Sequence, residues 1–281
     1  MRQLHLGRKL AFGLGLIAAL AYAMPFFLVI LNSLKTKYDI LEDPLSIPAK
    51  FEWKNFQMAA RKMDYFQALG NSFMITVVSV VALIVISSML AYYLARKHTK
   101  FSKTIFMILV ASMIVPFQSL MIPFIGFFGA KGPVSALGML STYGLVVFYM
   151  GFGVAMTTFL YHGFISNIPF ELDEAAKLDG ASDMTVFWRI IFPMLTPVTA
   201  TVAIINSLWI WNDFLLPWIV VGSKGVDYHT LPLSTYIFYG MYSANYGQAM
   251  AGLLLSILPI IIFYFIMQRQ IISGVSSGAV K

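Results

Sequence analysis

The chain has 281 residues, 59% of them hydrophobic and only 11% charged, against about 25% charged in an ordinary soluble domain. So many apolar side chains exceed what one aqueous core can bury. The formal charge of +7 sits at the ends of apolar runs, which points to membrane topology beside anionic lipid and away from nucleic acid. No cysteine is present, which excludes disulfides, zinc thiolate sites and thiol catalysis, and His5, His98, His162 and His229 are scattered without metal-ligand spacing.

A membrane-crossing helix needs about 20 mostly apolar residues. Six stretches free of Asp, Glu, Lys and Arg are long enough, the first running from Leu10 to Leu34 behind Arg2, Arg8 and Lys9. It contains Ala21-Tyr22-Ala23, which is shaped like a signal-peptidase site, but it is too long for a signal h-region of roughly 7–15 residues. It is therefore expected to remain as the first span. The segment Lys35 to Asp64 carries six basic and five acidic residues and is broken by Pro44 and Pro48. It reads as an extracytoplasmic excursion with a small helix over Lys54 to Lys62.

The second run is Tyr65 to Ala95, followed by Arg96, Lys97, Lys100 and Lys103 with no acid between them. By the positive-inside rule this loop and the N-terminus face the cytoplasm. The third run, Thr104 to Ala130, leads to Lys131 alone; the fourth, Gly132 to Phe170, exceeds one span and must contain a loop. The fifth is Ile190 to Asn212, and the sixth, Tyr228 to Gln268, again includes a loop. The expectation is an all-α polytopic membrane protein with six transmembrane helices and both termini cytoplasmic. Pro116, Pro123, Pro197, Pro217 and Pro259 are candidate kinks. The tyrosines and phenylalanine from Tyr228 to Tyr246 read first as an interfacial aromatic belt, with contact to an extracytoplasmic protein as the alternative.

Between runs four and five lies ELDEAAKLDG, residues 171 to 180, with four of the chain's twelve acidic residues. Pro169 suits a first helical turn, and Glu171, Asp173 and Glu174 suit the positive end of a helix dipole. Gly180 suits a left-handed stop, and Ser182 or Asp183 suits the cap of a following helix. Leu172, Ala175, Ala176 and Asp179 share one face, small at its centre. On pattern alone this is a solvated, alanine-rich loop helix; the topology places it in the cytoplasm.

Glu174-Ala175-Ala176, Gly180, Ile190 and Pro193 resemble the EAA signature of ABC-importer permeases: EAA, three residues, Gly, nine residues, Ile, any residue, Leu, Pro. The spacing is kept, with Phe192 in place of Leu. Trp211-Asn212-Asp213-Phe214 is similar to the carbohydrate-uptake branch, and Gly278-Ala279-Val280-Lys281 to the ending of maltose-transporter MalG-type permeases, less one final glycine.

The resemblance implies a type I ABC importer permease fold. It divides the chain into residues 1–65, an N-terminal span and outer segment; 66–270, a transmembrane type-1 domain with a coupling loop at 166–189; and a cytoplasmic tail, 271–281. It implies one permease of an ATP-driven, binding-protein-dependent sugar importer in a bacterial or archaeal cell membrane. The partners implied are a second permease, as a heterodimer, two cytoplasmic ATP-binding subunits and an extracytoplasmic sugar-binding protein.

Glu174, Ala175, Ala176, Asp179, Gly180, Ile190 and Pro193 would be the ATPase-coupling residues, and the tail Gly278 to Lys281 would reach the ATPase. No catalytic or metal site and no bound cofactor are implied; ATP-Mg belongs to the partner ATPase. The chain agrees, since a Walker A loop needs Gly-Lys and that dipeptide does not occur.

Asn212 and Asp213 are open to two readings, a pathway position by the default for ionisable residues in spans or solvated interface anchors. A permease of the same family for a polyol or glycerol phosphate is the runner-up. An ion-coupled carrier would want more buried carboxylates than Asp213 alone and leaves the cytoplasmic helix unexplained. An intramembrane enzyme has no residue cluster to support it.

Overall fold

The computed structural model describes residues 2–239 and 245–279, and among these it contains helices and turns with no strand. The restriction follows from the solvent. Hydrocarbon offers no partner to a backbone N–H or C=O, so a spanning segment must satisfy its own, as a helix does. Four helices are long and apolar enough to cross: Phe12–Ser33, Tyr65–Arg96, Thr142–Ile165 and Tyr246–Gln268. Two further pairs qualify as broken spans, Lys100–Ser112 with Phe117–Phe128, bent by 101°, and Asp183–Met194 with Thr196–Asn212, bent by 76°. Counting each pair once gives the expected six.

In chain order the helices are α1 (Arg2–Ser33), α2 (Lys37–Glu42), α3 (Lys54–Lys62), α4 (Tyr65–Arg96), α5 (Lys100–Ser112), α6 (Phe117–Phe128) and α7 (Thr142–Ile165). After them come α8 (Glu171–Leu178), α9 (Asp183–Val186), a π turn (Phe187–Ile191), α10 (Phe192–Met194), α11 (Thr196–Asn212), α12 (Leu215–Val221), α13 (Leu231–Ser234) and α14 (Tyr246–Ala279). Pro116 is the cap of α6 at the sharper break, and Pro197 opens α11, both places where the missing N–H costs nothing. Pro25, Pro123 and Pro259 lie inside α1, α6 and α14.

The chain forms two compact units. One comprises Met1–Phe66 with Ser234–Pro259. Its outer segment is tied by polar contacts rather than by a large apolar core. Asn55 is buried and donates to the carbonyls of Ser33 (2.9 Å) and Lys35 (2.8 Å), closing the end of α1. Lys35 is fully buried, its ammonium donating to Asp43 O (3.0 Å) and Ser46 Oγ (3.2 Å). The α3 helix has the expected bounds, and its Lys62 donates to Gln248 Oε1 at 2.8 Å.

The other unit comprises Gln67–Leu233 with Ile260–Lys281. Helices α4, α7 and α11 contribute to both of its apolar clusters. The first gathers Ile75, Leu83, Phe148, Tyr149, Ile210 and Leu216; the second gathers Ala91, Tyr161, Ile165, Phe187, Ile191 and Leu195. Small and hydroxyl-bearing residues let these helices approach, as membrane helices do in the absence of a hydrophobic drive between them. Asn206 donates to Thr157 Oγ1 (3.1 Å), and Tyr161 donates to Thr199 Oγ1 (3.0 Å), joining α7 to α11 twice.

Gly153 marks where the three helices crowd together. A Cβ there would lie 2.8 Å from Leu83 Cδ1 and 3.3 Å from the Trp209 ring. The leucine methyl can swing aside for one carbon, whereas a branched side chain would also displace the indole. Gly153→Ala is therefore expected to be tolerated, and Gly153→Leu to lower stability by about 1–3 kcal/mol, read as a fall in melting temperature of the detergent-purified protein.

Candidate coupling site

The loop after α7 begins at Ser166, whose N–H and hydroxyl both bond to His162 O and close the helix. Pro169 falls just before the helix cap, Phe170, rather than inside the first turn as the sequence suggested. The N–H groups of Asp173 and Glu174 then bond to Phe170 O at 3.0 and 3.2 Å and start α8.

Of the three acids in that first turn, the structure separates one from the others. Glu171 and Glu174 are exposed, but Asp173 is only 1% exposed. Its Oδ1 accepts from the Tyr92 hydroxyl at 2.6 Å. Its Oδ2 lies 2.9 Å from Arg96 Nη2, an ion contact without the alignment of a hydrogen bond. The Arg96 guanidinium also donates to Ile168 O at 3.1 Å and lies over the Phe170 ring, 5.6 Å from its centroid. One cation at the end of α4 thus holds the loop before α8 through a carbonyl, its cap through a ring and its first turn through a carboxylate. Buried charges persist only when paired and hydrogen-bonded; here the two are paired, and each side chain makes one hydrogen bond elsewhere, to Tyr92 and to Ile168 O. Helix-dipole reasoning alone assigned Asp173 to solvent. A signal was present in the last-turn Arg96 and in the Tyr92 four residues before it, but no local pattern pairs them with a residue so far along the chain, 81 positions from Tyr92.

The far end of α8 follows expectation. Gly180 has φ of +82°, its N–H bonds to Lys177 O (3.0 Å), and the N–H of Ala181 bonds to Ala176 O (3.0 Å). Together these make a Schellman stop, in which a left-handed glycine lets two late carbonyls find donors. Ala176 and Ala181 both pack against the second apolar cluster. The Ser182 hydroxyl accepts from Thr185 N and caps α9, so serine rather than Asp183 is the cap. Asp183 instead pairs with Lys177 at 2.6 Å across the glycine turn, on the open surface. The hydrogen bond to Asp183 raises the Lys177 pKa, but two exposed side chains add little stability.

The predicted face divides in two. Leu172, Ala175 and Asp179 are exposed beside Glu174, while Ala176 turns toward the protein. Ile190 packs against the second cluster within the π turn, and the neighbouring Ile191 is fully buried in it. Pro193 is exposed in α10, just before the bend into α11. The π turn and α10 therefore form a continuous bridge from the loop to the broken span.

Asn212 and Asp213 close α11 at its other end. Asn212 is exposed and donates to Leu208 O (2.8 Å). Asp213 is half-buried; its Oδ1 accepts from Leu215 N (2.9 Å) and its Oδ2 from the Tyr149 hydroxyl (3.0 Å). It is far in sequence from α8 and in a different apolar cluster's neighbourhood, so the candidate residues make two sites, not one. Of the tail, Gly278 and Ala279 belong to the last turn of α14, and Val280 and Lys281 lie outside the described residues, as does Tyr242 of the aromatic segment.

Comparisons with known proteins agree with this architecture. The model of the family described as "Binding-protein-dependent transport system inner membrane component" matches residues 84–277. The chain is 40% identical over 281 residues to a probable starch degradation products transport system permease protein of Thermoanaerobacterium thermosulfurigenes, covering 100% of each. It is 36% identical over 270 residues to the multiple sugar-binding transport system permease protein of Streptococcus mutans, covering 94% of each. In structure it is similar to a chain of a bacterial ABC transporter involved in the import of the acidic polysaccharide alginate, with TM-score 0.73, 20% identity, and coverage of 94% of this chain and 95% of that one.

Two outcomes follow from the loop geometry. Arg96→Ala strands the Asp173 carboxylate and is expected to cost about 3–5 kcal/mol, whereas the double change Arg96→Met with Asp173→Leu recovers most of it; thermal unfolding of the purified protein in detergent checks both. Gly180→Ala forces a side chain into the left-handed region and is expected to cost about 1–2 kcal/mol, seen as faster proteolytic cleavage of the loop.

Proposed function

Since this chain belongs to the family of binding-protein-dependent transport system inner membrane components, a multi-pass transport component and not an enzyme, we propose that it is one permease of an ATP-driven importer of neutral oligosaccharides. The observation that carries the coupling half of this reading is the state of α8: anchored on its inner side by the Asp173–Arg96 contact and presenting Glu174, Ala175 and Asp179 outward. A helix built to be moved by a partner needs a rigid link to the spans and a small exposed face that the partner can approach closely.

In this reading Glu174 offers its carboxylate to a basic group on a cytoplasmic ATP-binding subunit. Ala175 admits close approach, Ala176 seats the helix, and Gly180 supplies the turn. Motion passes through the π turn, with Ile190 packed in the core, and through Pro193 to the bend in the fifth span. The tail at Gly278, Ala279, Val280 and Lys281 adds a second contact with the same subunit. ATP-Mg is bound and hydrolysed on that partner, in keeping with the absence of a Gly-Lys pair here.

The basic loop at Arg96, Lys97, Lys100 and Lys103 supports cytoplasmic termini. Residues 1–65 form the first span and outer segment, 66–270 the transmembrane domain with its coupling loop at 166–189, and 271–281 the tail. A second, different permease completes the pore, two ATP-binding subunits flank it inside, and a sugar-binding protein delivers the solute from outside. The sugar class rests on the relatives named above, which are permeases of starch-degradation-product and multiple-sugar systems.

Glu174→Lys reverses the charge at the exposed centre of α8 without touching the buried contact. The assembled complex carrying it is expected to insert normally but to lose sugar uptake and the stimulation of ATP hydrolysis by the loaded binding protein. Normal stimulated hydrolysis in that variant would refute the coupling role.

A further inference from the structure

The third span is interrupted, and its break borders a cavity of about 380 Å³ that the end of α11 also lines. Ser112, Met113, Val115, Phe117 and Gln118 line one side of it, at the α5–α6 break. Trp209, Asp213, Leu215 and Leu216 line another, where α11 passes into α12, and Phe152 and Met156 of α7 complete the wall. Each helix end leaves backbone groups without intrahelical partners. At membrane depth such backbone persists only where it is buried in protein or lines a water-filled cavity. Met113, Ile114 and Val115 at the break are exposed on this chain.

The cavity wall is held in place from behind. The buried Tyr149 donates to Asp213 Oδ2 at 3.0 Å and also meets the Trp209 ring edge-on, with centroids 5.5 Å apart and planes at 87°. Leu215 N fixes the other carboxylate oxygen at 2.9 Å. Backbone groups of Phe214 and Leu216 also bond to this carboxylate, so Asp213 is committed to the start of α12. Phe117 packs edge-on to Phe152 at 5.1 Å. Trp209 remains 40% exposed despite its fixed edge.

The lining therefore combines a positioned indole, two phenylalanines, a carboxylate, an amide and a hydroxyl, with no Lys, Arg or His. Its volume falls within the range of small-molecule sites, about 300–1,000 Å³, and its make-up of apolar walls with few polar groups matches theirs. A ring with apolar C–H faces and a rim of hydroxyls satisfies both parts of the lining. An anionic solute would meet a carboxylate and no cation among the lining residues.

We propose that this cavity is a sugar-contacting station of the translocation path on this chain. Trp209 covers the apolar face of a neutral sugar ring, and Gln118 bonds to its hydroxyls. The proposal rests on the importer reading above, and it assigns Asn212 no contact, since that amide is spent on Leu208 O.

The test uses the complete importer in proteoliposomes, with its binding protein and radiolabelled malto-, galacto- and arabino-oligosaccharides, measuring sugar moved per ATP hydrolysed. Trp209→Ala is expected to lower that ratio about tenfold, the order of one lost ring contact, while Trp209→Phe keeps most of it. An unchanged ratio in Trp209→Ala, with the wild type active, overturns this proposal alone. So does a loss in which uptake and hydrolysis fall together and phenylalanine does not restore either, which is the mark of a packing role. Failure of the wild type to move any neutral sugar overturns the importer reading itself.

Discussion

The loop between α7 and α9 is held by one buried charge pair. Asp173 and Arg96 lie 2.9 Å apart with side chains 1% and 11% exposed, at the end of the chain's most regular span. Without Arg96 the loop would lose its bond at Ile168, its ring contact at Phe170 and its charge partner at Asp173 in one step. A buried ion pair contributes little net stability compared with apolar packing of equal volume. What it contributes here is position, because the pair, with the Tyr92 bond to Asp173 and the Arg96 bond to Ile168 O, ties α8 to the end of α4 at fixed points. The exposed acids of α8 inherit their orientation from the one acid that is hidden.

The same unit handles its interrupted helices in two ways. Beside the α8 loop, the π turn and α10 are packed against Tyr161, Ile165 and Leu195, so the interruption is filled with side chains. At the α5–α6 break it is left open, beside Trp209 and Asp213. Lipid permits irregular backbone only under one of these two arrangements. In the proposed reading, the filled break carries force between a loop and a span, and the open one offers a surface to a solute. Gly153, midway along α7, lets α4, α7 and α11 pass closely enough to join the two regions.

The asymmetry within ELDEAAKLDG shows how far local pattern reaches. The stop at Gly180 and the cap at Ser182 were readable, because a left-handed turn and an N-cap depend on residues within a few positions. Span count, the basic loop after α4 and the Lys54–Lys62 helix were readable for the same reason: each is written in composition or short-range period. The inward turn of Asp173 was not, since it depends on Tyr92 and Arg96 arriving from another helix. The sharp break at Met113 to Pro116 was half legible, as a proline was visible but a 101° bend was not.

What the sequence determined by itself is the class of molecule: apolar runs long enough to cross a bilayer, charge placed to orient them, and a short acidic helix with its glycine stop. These follow from transfer free energies and backbone sterics, which act on each residue with little regard to the rest of the chain. Only the tertiary structure decided which acid is an anchor and which are presented outward, and that the α5–α6 break and the end of α11 line one cavity. Both depend on side chains far apart in sequence meeting at about 3 Å or across one packed ring, and such meetings are set by how the helices cross.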